Sequence, residues 1–408
     1  MSVWKDLLDV GPESVGTAFG LALDLPERSA DARSHGGRAG PGAAPGAAQG
    51  PCLRSDAVSA AIRVGLIGYG YCGRTFHAPL IRAVAGLELR VVGSRDPARV
   101  EADLPGVAVV ADPFAAATSA AIDLVVIASP NDSHAPLAQA ALAAGKHVVV
   151  DKPLTLDLAE ARALRAAARS RSRLLAVFHN RRWDSDFLTV RRAIAAGVSG
   201  PVRHCEFRFD RFRPRIRDRW REGGGPGSGI WYDLGPHLVD QALLLFGLPD
   251  RVTASLARLR PGARSDDWAH VVLAYPGLRV VLQASMLVAG GSPRFVVHGE
   301  SGSLIKHRAD RQEEQLLAGL VPGASGWGAD PDGLEIHDGT GTVTRAPAVA
   351  GDQRLFYQGV AETLLRGPVD EAAALQAVRV MACLEAAVTS ARAGTSVGLP
   401  LTPDERGP

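Results

Sequence analysis

The 408-residue chain carries almost no net charge: 45 Lys and Arg stand against 43 Asp and Glu, a formal +2. That balance does not mark a partner of nucleic acid or of an anionic membrane surface. The four cysteines, Cys52, Cys72, Cys205 and Cys383, are scattered and include no CxxC pair. They suit neither a disulfide framework nor a zinc ribbon, and they point to a reducing, cytoplasmic setting. No apolar run approaches the roughly 20 residues of a bilayer span. The N-terminus also lacks a basic segment leading into an apolar core. The expectation is a soluble protein with no membrane or nucleic-acid partner and no metal. At about 150 residues per domain, its length allows two or three domains.

What is present changes texture along the chain. In Asp31–Gly50, 14 of 20 residues are Gly, Ala or Pro, too little apolar surface to offset ordering entropy. Residues 1–60 are therefore expected to be a disordered extension. From Ala61, short apolar runs (Val64–Ile67, Leu87–Val92, Val107–Val110, Leu124–Ala128, His147–Val150, Leu174–Phe178) alternate with Ala- and Leu-rich helical stretches. Strands apolar throughout, alternating with helices, predict a doubly wound parallel α/β domain over 61–182. Over 183–398 the runs Val202–Phe212, Val252–Leu256, Ala269–Tyr275, Leu278–Val288, Arg294–Gly299 and Ser303–Lys306 are joined largely by Gly/Pro turns. With helices at Asp186–Ala196, Leu234–Phe246, Gln353–Leu365 and Glu371–Ala393, they predict an α+β domain with an open antiparallel meander. Residues 399–408 read as a tail, and 311–350 as loop.

Gly68-Tyr69-Gly70-Tyr71-Cys72-Gly73 follows the first strand and opens a helical stretch. In a G-x-G-x-x-G so placed, the first glycine makes the turn, the second admits a pyrophosphate and the third lets helix and strand approach. The second strand leads to Ser94-Arg95-Asp96, with Arg99 one turn later. A hydroxyl beside a guanidinium suits a ribose 2′-phosphate, which favours NADP over NAD. A slip of two residues would instead make Asp96 the ribose ligand, and both arginines also read as solvated helix-start residues.

Asp151-Lys152-Pro153 ends another parallel strand, where the sheet opens on its ligand crevice. A lysine there can offset negative charge on a substrate oxygen. A surface lysine at a turn is the plainer alternative. Asp233 and His237 stand four apart near a helix start, with Pro236 expected in its first turn. Histidine exchanges protons near neutrality, and a carboxylate beside it can orient the ring. Asp233 as a helix N-cap, or the pair as metal ligands, are the alternatives. Arg208, Arg211, Arg213, Arg215, Arg217, Arg219 and Arg221 interleave with Phe207, Phe209, Phe212 and Trp220, as nucleic-acid binders often do. Asp210, Asp218 and Glu222 interrupt the run. It reads better as an amphipathic strand leading into an anion-tolerant loop of an active site.

Gly68–Gly73, Asp151-Lys152-Pro153 and Gly229–His237 together resemble the Gfo/Idh/MocA oxidoreductase family over about residues 62–395. Phe76–Leu80, His179–Asp184 and Arg219–Glu222 further resemble its branch containing NADP-dependent scyllo-inositol 2-dehydrogenase. The resemblance implies a Rossmann domain followed by an open-sheet domain that forms a homo-oligomer, a dimer or tetramer. It implies that Lys152, Asp233 and His237 are catalytic and that Pro130, Asn131 and His134 line the coenzyme, beside Lys152. Asp151 departs from the glutamate more common in the family. His179, Asn180, Arg181 and Tyr232 are candidate contacts for substrate hydroxyls. The expected function is NADP(H)-linked hydride transfer to or from a cyclitol or sugar-like polyol. The alternative is a non-catalytic, coenzyme-binding redox sensor on the same fold.

Overall fold

Strands built almost wholly of Val, Leu and Ile need both faces covered. In the computed structural model, which describes residues 61–366 and 369–407, six of them share one parallel sheet. They are β1 (Ile62–Ile67), β2 (Leu87–Gly93), β3 (Ala108–Val110), β4 (Leu124–Ile127), β5 (His147–Val150) and β6 (Leu175–Val177). Their order is β3-β2-β1-β4-β5-β6. All four residues of β4 are buried, as two covered faces require. The strand order reverses between β1 and β4, so a crevice opens at their carboxyl ends. The extension expected over residues 1–60, with Cys52, lies outside the described residues.

The glycine turn explains its own spacing. Gly68 has φ +100°, and a Cβ there would press on the Ala128 carbonyl at the end of β4. Gly70 faces open space, whereas a Cβ on Gly73 would overlap the carbonyl of Gly68. The chain then winds as a π-helical turn, Gly73–His77, before α1 (Ala78–Arg82).

The second sheet has eight strands: β7 (Val202–Asp210), β8 (Arg251–Ala257), β9 (Trp268–Tyr275), β10 (Leu278–Ser285), β11 (Phe295–Gly299), β12 (Gly302–Lys306), β13 (Leu334–His337) and β14 (Val343–Ala346). Their order is β14-β13-β12-β11-β7-β10-β9-β8. The expected meander holds for β8-β9-β10 and for β11 to β14. It fails at the centre, where β7 lies between β11 and β10 and pairs with β10 in parallel. A parallel pair needs a long crossover, and the segment between those strands supplies it with a 17-residue helix, Ile230–Phe246. Part of the expected loop at 311–350 extends the sheet as β13 and β14.

That helix begins four residues before its expected start. Gly229 (φ +100°) is its N-cap, and Asp266 takes the freed amides: its carbonyl accepts from Ile230 N and its carboxylate from Trp231 N, both at 2.8 Å. Asp233 is therefore not the cap, and Pro236 sits in the helix interior.

The long C-terminal helix Ala372–Ala393 is apolar enough, by length and composition, to cross a membrane, contrary to the run-length argument. Its interior residues, among them Val378, Met381 and Leu384, are buried in the same core as strands of both sheets. The last residues, read as a tail, include a helix at Pro403–Arg406 closed by a Thr402/Glu405 capping box. Glu405 also accepts two hydrogen bonds of 2.7 Å from the Arg162 guanidinium. These contacts, led by Arg162, hold its carboxyl down at about 2. Folding thus depresses this pKa, and the stability gained is complete above the unfolded value of about 4.3 and lost as pH falls towards 2. Glu405→Gln is expected to cost about 1–3 kcal/mol at neutral pH, measured by urea unfolding. The gap from the native protein should close over that acid interval.

Candidate active site

The carboxyl end of β5 and the first turns of the Ile230–Phe246 helix meet at one ion pair. Lys152 Nζ lies 3.1 Å from Asp233 Oδ1 and also donates to the Asp233 backbone carbonyl. Arg221 Nε approaches the same carboxylate oxygen at 3.4 Å. Burial alone would raise the Asp233 pKa, but Lys152, Arg221 and Arg211 overrule it and hold the group well below the usual carboxylate range. Asp151, beneath, accepts the Lys152 amide at 2.8 Å and so fixes the turn.

The pair borders a cleft of about 440 Å³ that also exposes Tyr71 and Cys72 of the glycine turn, Asn180, Arg181 and His237. His237 packs edge-on to Phe209, with ring centres 6.4 Å apart. Its Nδ1 is buried with no hydrogen-bond partner among the described residues. Asp233 is thus not the group that orients His237, because its carboxylate is engaged by Lys152 and Arg221. Burial first, then the charges of Lys152 and Arg181, push the His237 pKa well below its ordinary value. The imidazole rests neutral.

The other expected site residues divide. Arg181 donates to Asp184 at 2.9 Å, reaches Glu313 at 3.5 Å and lies 5.0 Å from the Phe209 ring centre. His179 is buried behind Asn180, both ring nitrogens without a partner among the described residues. Burial pushes its pKa down to about 4. Tyr232 turns away from the cleft and donates to the Leu156 carbonyl at 3.1 Å. Tyr69 is also buried, its hydroxyl on Asp103.

Around the coenzyme crevice, Ser94 directly follows β2 and its hydroxyl accepts from Asp96 N at 3.1 Å. Asp96 is the N-cap of helix Pro97–Asp103, accepting from Arg99 N, and its carboxylate also pairs with the Arg99 guanidinium at 3.1 Å. Arg95 and Arg99 both remain exposed at this edge. The His134 ring nitrogens meet the carbonyls of Pro153 (2.8 Å) and Ser129 (3.0 Å). Asn131, just after Pro130, donates to Gly227 O at 3.2 Å. Both residues brace the loops that shape the crevice. The open space at Gly70, the fork-free Ser94 and the exposed Arg95 fit a dinucleotide along this edge.

Sequence reasoning missed several groups in the cleft wall and in the buried layer near it. Arg294 lies between the rings of Phe209 (3.7 Å) and Phe295 (4.1 Å) and donates to Gln241 at 2.7 Å. Arg182 forms a buried two-pronged pair with Asp240, at 2.8 and 2.6 Å. Glu313 accepts from Tyr71 at 2.6 Å. All three depend on partners distant in the chain, and no local pattern announces them.

Three buried imidazoles, His77 and His179 at about 4 and His237 also depressed, resist protonation in the fold. The unfolded chain takes up these protons first, near pH 6.5, so stability must fall as pH drops from about 6.5 towards 4. Calorimetric unfolding across that interval should show the loss, and His179→Asn should make it shallower. A flat profile would mean that these rings are already paired or charged.

Residues 62–179 match the family model described as "Oxidoreductase family, NAD-binding Rossmann fold", and residues 191–399 match its "C-terminal alpha/beta domain". The uncharacterized oxidoreductase YdgJ of Escherichia coli is 52% identical over 81% of this chain and 96% of its own length. The scyllo-inositol 2-dehydrogenase (NADP(+)) IolW of Bacillus subtilis is 35% identical over 81% and 94%. A crystal structure of an oxidoreductase from Bacillus cereus superposes with a TM-score of 0.74 at 28% identity, covering 84% of this chain and 99% of that one. A glycine turn on a parallel sheet, a lysine at a strand end and two matching domain models lead to one assignment: the chain belongs to the Gfo/Idh/MocA oxidoreductase family.

Proposed function

We propose that the protein is an NADP(H)-dependent oxidoreductase acting on a secondary alcohol or ketone of a cyclitol or sugar-like polyol. The observation that carries this reading is the convergence of Lys152, from the parallel sheet, and His237, from the second domain, on one cleft beside the glycine turn. Gly68–Gly73 would take the pyrophosphate at the helix start, and Ser94 with Arg95 the 2′-phosphate. The name of the Bacillus subtilis relative, which includes both NADP and scyllo-inositol, supports the choice of coenzyme and of substrate class.

When bound, the nicotinamide supplies or accepts the hydride. Lys152 holds the reacting oxygen and offsets its charge. Asp233 keeps the ammonium aimed into the cleft, through both its carboxylate and its carbonyl. His237 exchanges the hydroxyl proton: it accepts it in the oxidative direction and returns it in the reductive one. Asn180 and Arg181 offer polar contacts to the remaining hydroxyls. A redox sensor would have no use for a lysine and a histidine facing the same cavity. The protein is further proposed to be a cytoplasmic homo-oligomer, a dimer or tetramer joined through the open face of its eight-stranded sheet.

His237→Ala should lower kcat by about 10²–10⁴ while NADPH affinity, read by fluorescence titration, stays within a few-fold. An unchanged kcat would remove the histidine from proton transfer. Ser94→Asp should move preference from NADP towards NAD, because a carboxylate repels the 2′-phosphate and accepts the 2′-hydroxyl. Equal dissociation constants for NADPH in variant and native protein would mean that the ribose lies elsewhere.

A further inference from the structure

The cleft holds more positive charge than its own carboxylates neutralise. Lys152 and six arginines line it, against Asp151, Asp233 and Glu313. Each nearby carboxylate is already taken. Asp233 serves Lys152 and Arg221, Glu313 serves Tyr71 and Arg181, and Glu222 serves Arg217, Arg219 and Arg260. Arg211 and Arg213 are left over. Their guanidiniums have neither an ion pair nor a hydrogen-bond acceptor among the described residues, yet both are half-buried in the cleft wall.

Such a pair is costly when empty. A guanidinium partly withdrawn from water and left unpaired loses solvation without a compensating bond. Burial, followed by mutual repulsion with neighbouring arginines, pushes the pKa of Arg213 down; burial also leads the depression at Arg211. Asp233 feels the Arg211 charge as a stabilising field, so Arg211 stands on the Lys152 side of the cleft. The coenzyme pyrophosphate has its own cradle at the glycine turn.

We propose that Arg211 and Arg213 form a binding site for an ionised oxyanion group on the substrate, so that the preferred polyol is a carboxylate- or phosphate-bearing one. This rests on the dehydrogenase reading for what happens next, but not for the binding itself. Planar guanidinium forks suit both carboxylate and phosphate, with two parallel N–H···O bonds each. An anion seated there would also offset the positive field that keeps His237 a weak base, linking substrate charge to proton transfer.

The test uses the NADPH-saturated protein and calorimetric titration of two matched pairs: myo-inositol with inositol 1-phosphate, and glucose with glucuronate. At least one acid should bind about 10–100 times more tightly than its neutral parent. The pair that discriminates tells phosphate from carboxylate. In Arg211→Met/Arg213→Met that preference should fall to within about threefold, with the NADPH dissociation constant little changed. Arg213→Met alone, at the more open position, should give part of the loss if the double variant fails to fold. Equal affinity within both pairs, or no binding of either acid, overturns the proposal. So does a preference that survives substitution while NADPH affinity drops, because the arginines would then hold a coenzyme phosphate. Arginine-dependent binding of an acid, with no change in nicotinamide absorbance for any member of the panel, would uphold the anion site and reject the dehydrogenase reading.

Discussion

The contact between the Lys152 ammonium and Asp233 joins the two halves of the molecule at the cleft where the proposed chemistry is placed. The lysine leaves a strand of the parallel sheet, and the aspartate rides on a helix of the second domain. With side-chain exposures of 11% and 15%, the pair is screened little by solvent, so geometry decides its value. Here the geometry is favourable: the ammonium reaches both the carboxylate and the backbone carbonyl of the same residue, and Arg221 approaches the same carboxylate oxygen. The arrangement fixes the long, flexible lysine in one direction. A freely rotating ammonium would carry the same charge without aiming it.

The surroundings of that pair divide into neutral rings and committed charges. His77, His179 and His237 are buried and rest uncharged, while arginines dominate the cleft wall. Burial leads the depression at all three; at His237 the charges of Lys152 and Arg181 add to it, whereas Asp151 beside His77 and Asp240 beside His179 oppose it. His77 illustrates the burial, since Phe178 lies 4.3 Å from its ring centre and its Nδ1 meets Tyr357 at 2.6 Å. Arg294, held between two phenylalanine rings and paired with the buried carboxylate of Asp186 at 3.1 Å, keeps a cation near His237.

Much of the parallel half was legible because its signals are local. An all-apolar run such as Leu124–Ile127 states its own burial, and three glycines at fixed spacing state a turn whose second position must stay open. The second half was less legible because its decisive contacts are long-range. The start of the Ile230–Phe246 helix depends on Asp266, which no window around Gly229 contains. The parallel pairing of β7 with β10 depends on a crossover of about seventy residues, and alternation of apolar residues is the same for parallel and antiparallel neighbours on an open sheet. Arg182 looks like any surface arginine until Asp240 is brought to it. The Asp233/His237 spacing was read correctly as one helix face, but the lysine outcompetes the histidine for the carboxylate.

The arginine run from Arg208 to Arg221 brings these strands together. Read as a string, it resembles a polyanion-binding segment; folded, it separates into distinct roles. Arg208 lies on β7, whereas Arg217 and Arg219 are held by Glu222 and Arg221 by Asp233. Arg215 is exposed outside the cleft lining, so what remains unpaired in the cleft wall, among the described residues, is the two guanidiniums of Arg211 and Arg213, a set suited to a small oxyanion rather than to a backbone of repeating phosphates. Charge counted along a sequence overstates charge available to a ligand, because every internal carboxylate subtracts from it. The functional signal is therefore the residue of that subtraction, and here it points into the same cavity that Lys152 and His237 share.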